Sequence, residues 1–220
     1  MTLEKKGKKE PIKTFCCKFL KQTYRFFYQN LMLLIGFLSG LFIAIAQLIY
    51  IRNIYSFKVK PSVLSWIGWS ILMGVGVFSQ IINDGFDWSQ TGLLLSTFGC
   101  LFIALFSISI NNFSLIKSDW WFLLLGFLSI GVYFVSKDSL ITTLFAITAD
   151  FLLGIPTLQK AFKFPSLEKS KAWGFGAFSS VLAISICFGD PIVYCLFPIY
   201  LLFYNLTMII LSNRKESIQS

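Results

Sequence analysis

Histidine is absent from this sequence, and charge is scarce: Asp, Glu, Lys and Arg make up 13% of its 220 residues, against roughly a quarter in a soluble domain. The first absence removes the commonest general base and the commonest metal ligand, so the usual triads, zinc sites and haem sites are excluded. The second leaves too little polar surface to cover the apolar remainder, which is 56% of the chain and includes 25 phenylalanines. With a mean hydropathy of +0.74, the solvent for much of the chain must be lipid. No stretch alternates apolar and polar residues over the length of a barrel strand. These features predict an all-α, multi-pass integral membrane protein, no enzyme, with neither cofactor nor metal.

A bilayer core of about 30 Å calls for about 20 apolar residues per helix. That ruler gives seven spans: Leu31–Tyr50, Ser62–Ile82, Thr91–Ile110, Asp119–Ser136, Ser139–Phe162, Ala172–Gly189 and Ile192–Leu211. Short polar or proline-bearing connections separate several of them, among them Asn83-Asp84-Gly85, Lys137-Asp138 and Gly189-Asp190-Pro191. Leu31–Ile43 followed by Ala44-Ile45-Ala46 has the form of a signal-peptide core and cleavage site. The apolar run continues to Tyr50, however, and the preceding basic region is unusually long, so the segment reads as an uncleaved first helix.

Residues 1–30 form a basic arm carrying Lys5, Lys6, Lys8, Lys9, Lys13, Lys18, Lys21 and Arg25. From Phe15 to Tyr28 apolar residues interleave with those charges, as in a helix lying on anionic headgroups; a frayed basic tail is the competing reading. Nucleic acid explains the net charge of +9 poorly, because the excess sits beside the spans. The five cysteines show no Cys-x-x-Cys spacing. Cys100, Cys187 and Cys195 read as small buried hydrophobes, and Cys16 and Cys17 as candidates for lipidation beside the bilayer.

Orientation follows from the remaining charges. Arg52, Lys58, Lys60, Lys117, Lys160, Lys163, Lys169, Lys171, Arg214 and Lys215 fall on one side of a seven-span chain, and only Lys137 on the other. The positive-inside rule makes the first side, with the C-terminus, cytoplasmic. The same span count puts the basic arm opposite, against the rule; the loops are given the greater weight.

An internal repeat is visible. Gln47 closes the first span, a basic aromatic loop with Pro61-Ser62 follows, and Trp66 opens the second; Pro156, a loop with Pro165-Ser166, and Trp173 repeat that order after the fifth. Helices 1–3 and 5–7 then form two parallel three-helix repeats joined by a linker helix. The segments are the arm (1–30), a first repeat (31–111), a linker (112–138), a second repeat (139–212) and a polar tail (213–220).

A 3+1+3 chain with such a motif at the ends of helices 1 and 5 resembles the PQ-loop superfamily, which includes the SWEET sugar transporters, lysosomal amino-acid exporters and KDEL cargo receptors. The Pro-Gln pair is divided here, Ala46-Gln47 keeping the Gln and Pro156-Thr157 the Pro, and helices 2 and 6 lack the SWEET prolines. The resemblance implies a pocket between the repeats lined by an asparagine of each third helix. Asn205 matches on helix 7; Ser107 and Asn111 are the counterparts that helix 3 offers.

Asp150 is the one ionisable residue well inside a predicted span, and such acids usually face a bundle interior or water. Thr143, Asp150, Gly154 and Thr157 share a helix face, making Asp150 a candidate both for solute binding and for proton coupling; interhelical glue is the bland alternative. Tyr194, Pro198 and Asn205 share a face of helix 7, and Trp69 and Gln80 add an indole and an amide from helix 2. Gln47, Pro156 and Pro198 are candidate motif or hinge positions. Trp66 and Trp173, near helix ends, suit an interfacial belt. Gly36, Gly40 and Ala44, with Gly176 and Ser180, suit close helix packing.

Two functions fit. One is a secondary transporter, uniporter or proton-coupled, that moves a small neutral or zwitterionic solute such as a sugar or amino acid by alternating access. The other is a non-transporting receptor or scaffold of the same fold. The partners expected are the solute and membrane lipids, anionic ones included, with homo-oligomers compatible and nucleic acid not.

Overall fold

The computed structural model describes residues 12–113, 119–187 and 191–214, and among them it contains helices and no β-strand. In order these are α1 (Ile12–Tyr55), α2 (Val63–Asp84), a 3-10 turn (Trp88–Gln90), α3 (Thr91–Ser109), α4 (Asp119–Ser136), α5 (Ser139–Lys163), the one-turn α6 (Pro165–Glu168), α7 (Ala172–Ile186) and α8 (Val193–Ser212). Five stretches are long and apolar enough to cross a membrane: Phe26–Tyr55, Val63–Asp84, Trp88–Ser109, Ser139–Lys163 and Val193–Ser212.

Local chemistry sets the ends. Ser62 caps α2 by accepting from the Ser65 amide, and Gly85 closes that helix at φ 93°, a conformation glycine adopts without strain. Asp138 caps α5 through the Ile141 amide. Asp87 and Gln90 form a reciprocal capping box around the 3-10 turn. Past α3, Asn111 takes φ 53°, tolerable for asparagine, and the next side chain, Asn112, donates to the carbonyls of Ile54 (2.7 Å) and Val59 (3.1 Å). That clamp ties the α1–α2 connection to the end of α3.

Two boundaries differ from expectation. No proline or glycine lies between Ile12 and Gly36, and α1 runs unbroken for 44 residues, about 66 Å at 1.5 Å per residue. The described part of the arm thus continues the first span. α7, expected to reach Gly189, stops at Ile186 after 15 residues, about 22 Å. Just past that end, Cys187 is bonded to Cys195 at the start of α8, which ties the two helices together there. Free buried thiols were expected at both positions; among the described side chains only Cys100 is free.

α1 packs on α7 and α3, α2 on α3, α4 and α5, and α8 on α5 and α7. Ser39 and Ser179 tie α1 to α7 reciprocally, each hydroxyl donating to the other's carbonyl at 3.0 and 2.8 Å. Opposite the core, Phe98, Phe102 and Leu105 of α3 and Phe203 and Ile210 of α8 are each more than half exposed. An apolar belt of that extent would aggregate in water and is the normal lipid-facing surface of a membrane bundle. Trp120 and Trp121 of α4 are likewise exposed.

Candidate functional site

A cavity of about 120 Å³ lies inside the bundle, lined from α1, α2, α3, α5, α7 and α8. Its wall on α5 is Asp150, 2% exposed and midway along that helix. The Tyr200 hydroxyl donates to its Oδ2 at 2.6 Å. The other carboxyl oxygen, Oδ1, is buried without a hydrogen-bond partner, as is the Trp69 indole N–H. The Ser89 hydroxyl, on the 3-10 turn, is a third such atom in the lining. Buried polar atoms are nearly always satisfied, so orphans gathered in one cavity wall mark where a ligand would complete the set. One turn along α5, Gly154 gives the room: a Cβ there would come within 2.6 Å of the Tyr204 ring, whose hydroxyl donates to the Gly154 carbonyl at 3.2 Å. Helices α5 and α8 continue as helix through Pro156 and Pro198.

Of the residues singled out in the sequence, Asp150, Trp69, Asn205, Pro198 and Gln47 line the cavity. Gln47 is committed to α3, donating to the carbonyls of Leu95 (3.3 Å) and Ser96 (3.5 Å). Asn205 donates back to Leu201 at 2.7 Å. Trp66 and Trp173 also line it, each 8% exposed, which replaces the interfacial belt expected of them. Tyr50, Tyr204 and Tyr200 were not foreseen; their spacing carries no signal, because the contacts that gather them cross between helices.

Gln80 and Tyr194 are placed elsewhere. The Gln80 amide donates to Thr143 Oγ1 (3.0 Å) and the Val193 carbonyl (3.1 Å), and its oxygen accepts from Gln90 (3.0 Å). The Tyr194 hydroxyl donates to the carbonyls of Asp84 (3.0 Å) and Gly85 (3.3 Å), and the Ser139 hydroxyl donates to the Asp84 carboxylate. Together these fasten the ends of α2, α5 and α8 beside the disulfide. Ser107 bonds back to Ile103 and Asn111 is exposed; neither lines the cavity. Cys16 and Cys17 sit on the first turns of α1, and their side chains, like residues 1–11, lie outside what is described.

The opposite end holds a residue the sequence did not flag. Glu168 of α6, buried, pairs with Lys160 at 2.8 Å, and its backbone carbonyl accepts from the Trp173 indole at 3.1 Å. Burial raises its carboxyl above the usual glutamate value, and the Lys160 ammonium pulls against that rise. Lys160 also donates to the Lys60 carbonyl at 3.2 Å, joining the two basic loops. A wider cleft beside Lys169 and Lys171 contains none of the sequence candidates.

Among the described residues no group of His, Cys, Asp or Glu could hold a metal ion. No protein-family profile matches the chain, and no curated protein or solved structure matches it either.

Proposed function

We propose that the protein is a secondary transporter of the membrane, moving a small solute by alternating access through the cavity at Asp150. The observation that carries this reading is a mid-bundle carboxylate with one unpartnered oxygen at a cavity wall. An acid at that depth is costly to insert and marks solute or proton pathways.

The packing supports a 3+1+3 reading with parallel repeats. If α1, α2 and α3 correspond to α5, α7 and α8, the pairing of α1 with α7 exchanges with that of α5 with α2. In each triplet the third helix also contacts both of the others. The cavity lies where the two triplets meet, the position in which repeat-built transporters bind their solutes. Asp150 is the candidate proton carrier; the titratable side chains lining the cavity with it are Tyr50 of α1, Cys100 of α3 and Tyr204 of α8, and Tyr200 of α8 is bonded to it.

For orientation, the disulfide adds to the charge asymmetry. Disulfides persist in oxidising compartments, and Cys187–Cys195 lies at the end that carries Lys137. The opposite end, with Glu168 and most basic residues of the loops, is then cytoplasmic, and the C-terminus with it, while the basic arm that precedes the first span falls on the disulfide side.

Reconstitution tests the function directly: flux of labelled solutes into proteoliposomes, with and without a pH gradient. Saturable flux that Asp150→Asn abolishes or uncouples from the gradient is expected. No flux from folded, inserted protein would overturn the reading in favour of a receptor or scaffold.

A further inference from the structure

Five aromatic side chains from four helices form a closed circuit of ring contacts in the cavity wall. Tyr50 meets Trp66 with ring centres 4.8 Å apart, Trp66 meets Trp69 at 5.2 Å, Trp69 meets Tyr204 at 6.1 Å, Tyr204 meets Trp173 at 6.3 Å, and Trp173 returns to Tyr50 at 6.1 Å. Successive rings cross at 44° to 86°, so they join as the panels of a cage and not as a stack. All five line the cavity that Asp150 also lines, and each is at most 8% exposed.

We infer that this cage is a binding site for a small organic cation, an alkylated or quaternary ammonium, with its charge held between the Asp150 carboxylate and the aromatic rings. The inference rests on the reading of the cavity as the solute site.

Charge argues for it first. Asp150 is the one carboxylate among the lining residues, and no Lys or Arg accompanies it. Negative ring faces and a carboxylate both attract a cation. A zwitterion would bring a carboxylate of its own, which nothing in the wall would neutralise, and an unpaired buried charge is prohibitive.

Hydrogen bonding argues for it second. A polyhydroxylated solute needs many free partners, and the polar lining is largely committed: Gln47 to α3, Ser39 and Ser179 to each other, Ser180 to Gly176, and the Asn205 amide N–H to Leu201. The unpartnered buried atoms of the lining residues are Asp150 Oδ1, the Trp69 N–H and the single hydroxyl of Ser89, fewer than a sugar would engage. A choline-like ammonium asks for few partners: its charge faces the carboxylate, and its hydroxyl can accept from the Trp69 N–H.

Size agrees. A cavity of about 120 Å³ compares with the roughly 150 Å³ that accepts benzene. Choline and smaller ammonium ions are of that order. The inference thus replaces the neutral or zwitterionic solute suggested by the sequence with a cationic one.

The test is equilibrium binding to the purified full-length chain in detergent, followed by tryptophan fluorescence at constant ionic strength. Choline is compared with 3,3-dimethylbutan-1-ol, which has the same shape without the charge. Saturable binding of choline, at least about tenfold tighter than that of the alcohol, is expected, a factor equivalent to about 1.4 kcal/mol. Asp150→Asn should weaken choline at least tenfold and leave the alcohol unchanged, and Trp69→Leu should weaken choline several-fold. Equal affinity for the two probes, or no saturable choline binding, would overturn the inference. Should the variants fail to fold, the comparison of probes on the unsubstituted protein decides by itself. Choline binding without choline flux into proteoliposomes would keep the cage and remove transport. Flux of a neutral solute with no choline binding would keep transport and remove the cage.

Discussion

Gln80 of α2 and Asp150 of α5 belong to two helices that pack together, and both are almost wholly buried. Around Gln80 its amide N–H and its oxygen are engaged, with Gln90, Thr143 and Val193 all drawn in. Around Asp150 one oxygen is held by Tyr200, the other has no partner, and the residue lines a cavity. The first arrangement is complete without a ligand and gains nothing from one. The second leaves a desolvated acceptor unsatisfied, a cost that folding alone does not recover. A buried polar side chain is thus better judged by its unpaired atoms than by its depth.

The sharpest way to break the comparison is to exchange the consequences of the two sites. Asp150→Asn keeps an oxygen for the Tyr200 hydroxyl, so unfolding in detergent should shift by less than about 1 kcal/mol. Gradient-driven flux should meanwhile fall by an order of magnitude or more. A variant that unfolds while its residual folded fraction transports normally would make Asp150 the structural member of the pair.

Gln80→Leu should do the reverse. It strands the Gln90 amide in a buried site, with a loss of about 2–3 kcal/mol in chemical denaturation, and the solute affinity of the folded fraction should not move. Altered affinity at full stability would place Gln80 in the solute path after all.

Lys160→Met sharpens the contrast at the other end, where a buried acid is paired without being relaxed. Glu168 holds its proton more tightly folded than unfolded, so its contribution to stability declines as pH rises from about 4.5 through the raised folded value. Removing Lys160 takes away the influence that opposes this rise. The variant should be close to the parent near pH 4.5 and increasingly less stable than it as pH rises, by about 2–3 kcal/mol at the alkaline end. Thermal melts across that range check it, and a pH-independent deficit would mean that Lys160 acts through packing alone.

The disulfide should matter least to the cavity. Cys187 and Cys195 close a short loop, so reduction should cost about 2 kcal/mol in denaturant titrations and leave cavity ligands bound as before. Reactivity of both thiols toward a maleimide without prior reduction would show that they are not paired.

Much of the bundle was legible in the residues. α2 at Val63–Asp84, α3 at Thr91–Ser109 and α5 at Ser139–Lys163 lie within a few residues of the spans read from apolar length, because lipid sets a fixed ruler and Ser62, Gly85 and Asp138 punctuate it. Asp150 stood out for the same reason: a charge in a long apolar run has to be accounted for. The aromatic ring did not stand out. Helices apolar on every side give no amphipathic clue to which face turns inward, so Trp66 and Trp173 looked like ordinary interfacial tryptophans. Gln80 and Asp150 looked alike because helical spacing says which residues share a face and nothing of what lies opposite. Glu168 was hidden among lysines, where a single acid reads as a solvated charge.

By itself the sequence determined that the described chain folds as helices, where most of them begin and end, and that one acid lies deep among apolar residues. Those properties depend on local hydrogen bonding, capping and transfer free energy, which act within a turn or a span. Only the tertiary structure decided that Tyr50, the two tryptophans of α2, Trp173 and Tyr204 close on one cavity, that Cys187 bonds Cys195, and that Gln80 is satisfied where Asp150 is not. Each of these is a contact between helices, and it is fixed by which apolar surfaces interlock, which no single segment encodes.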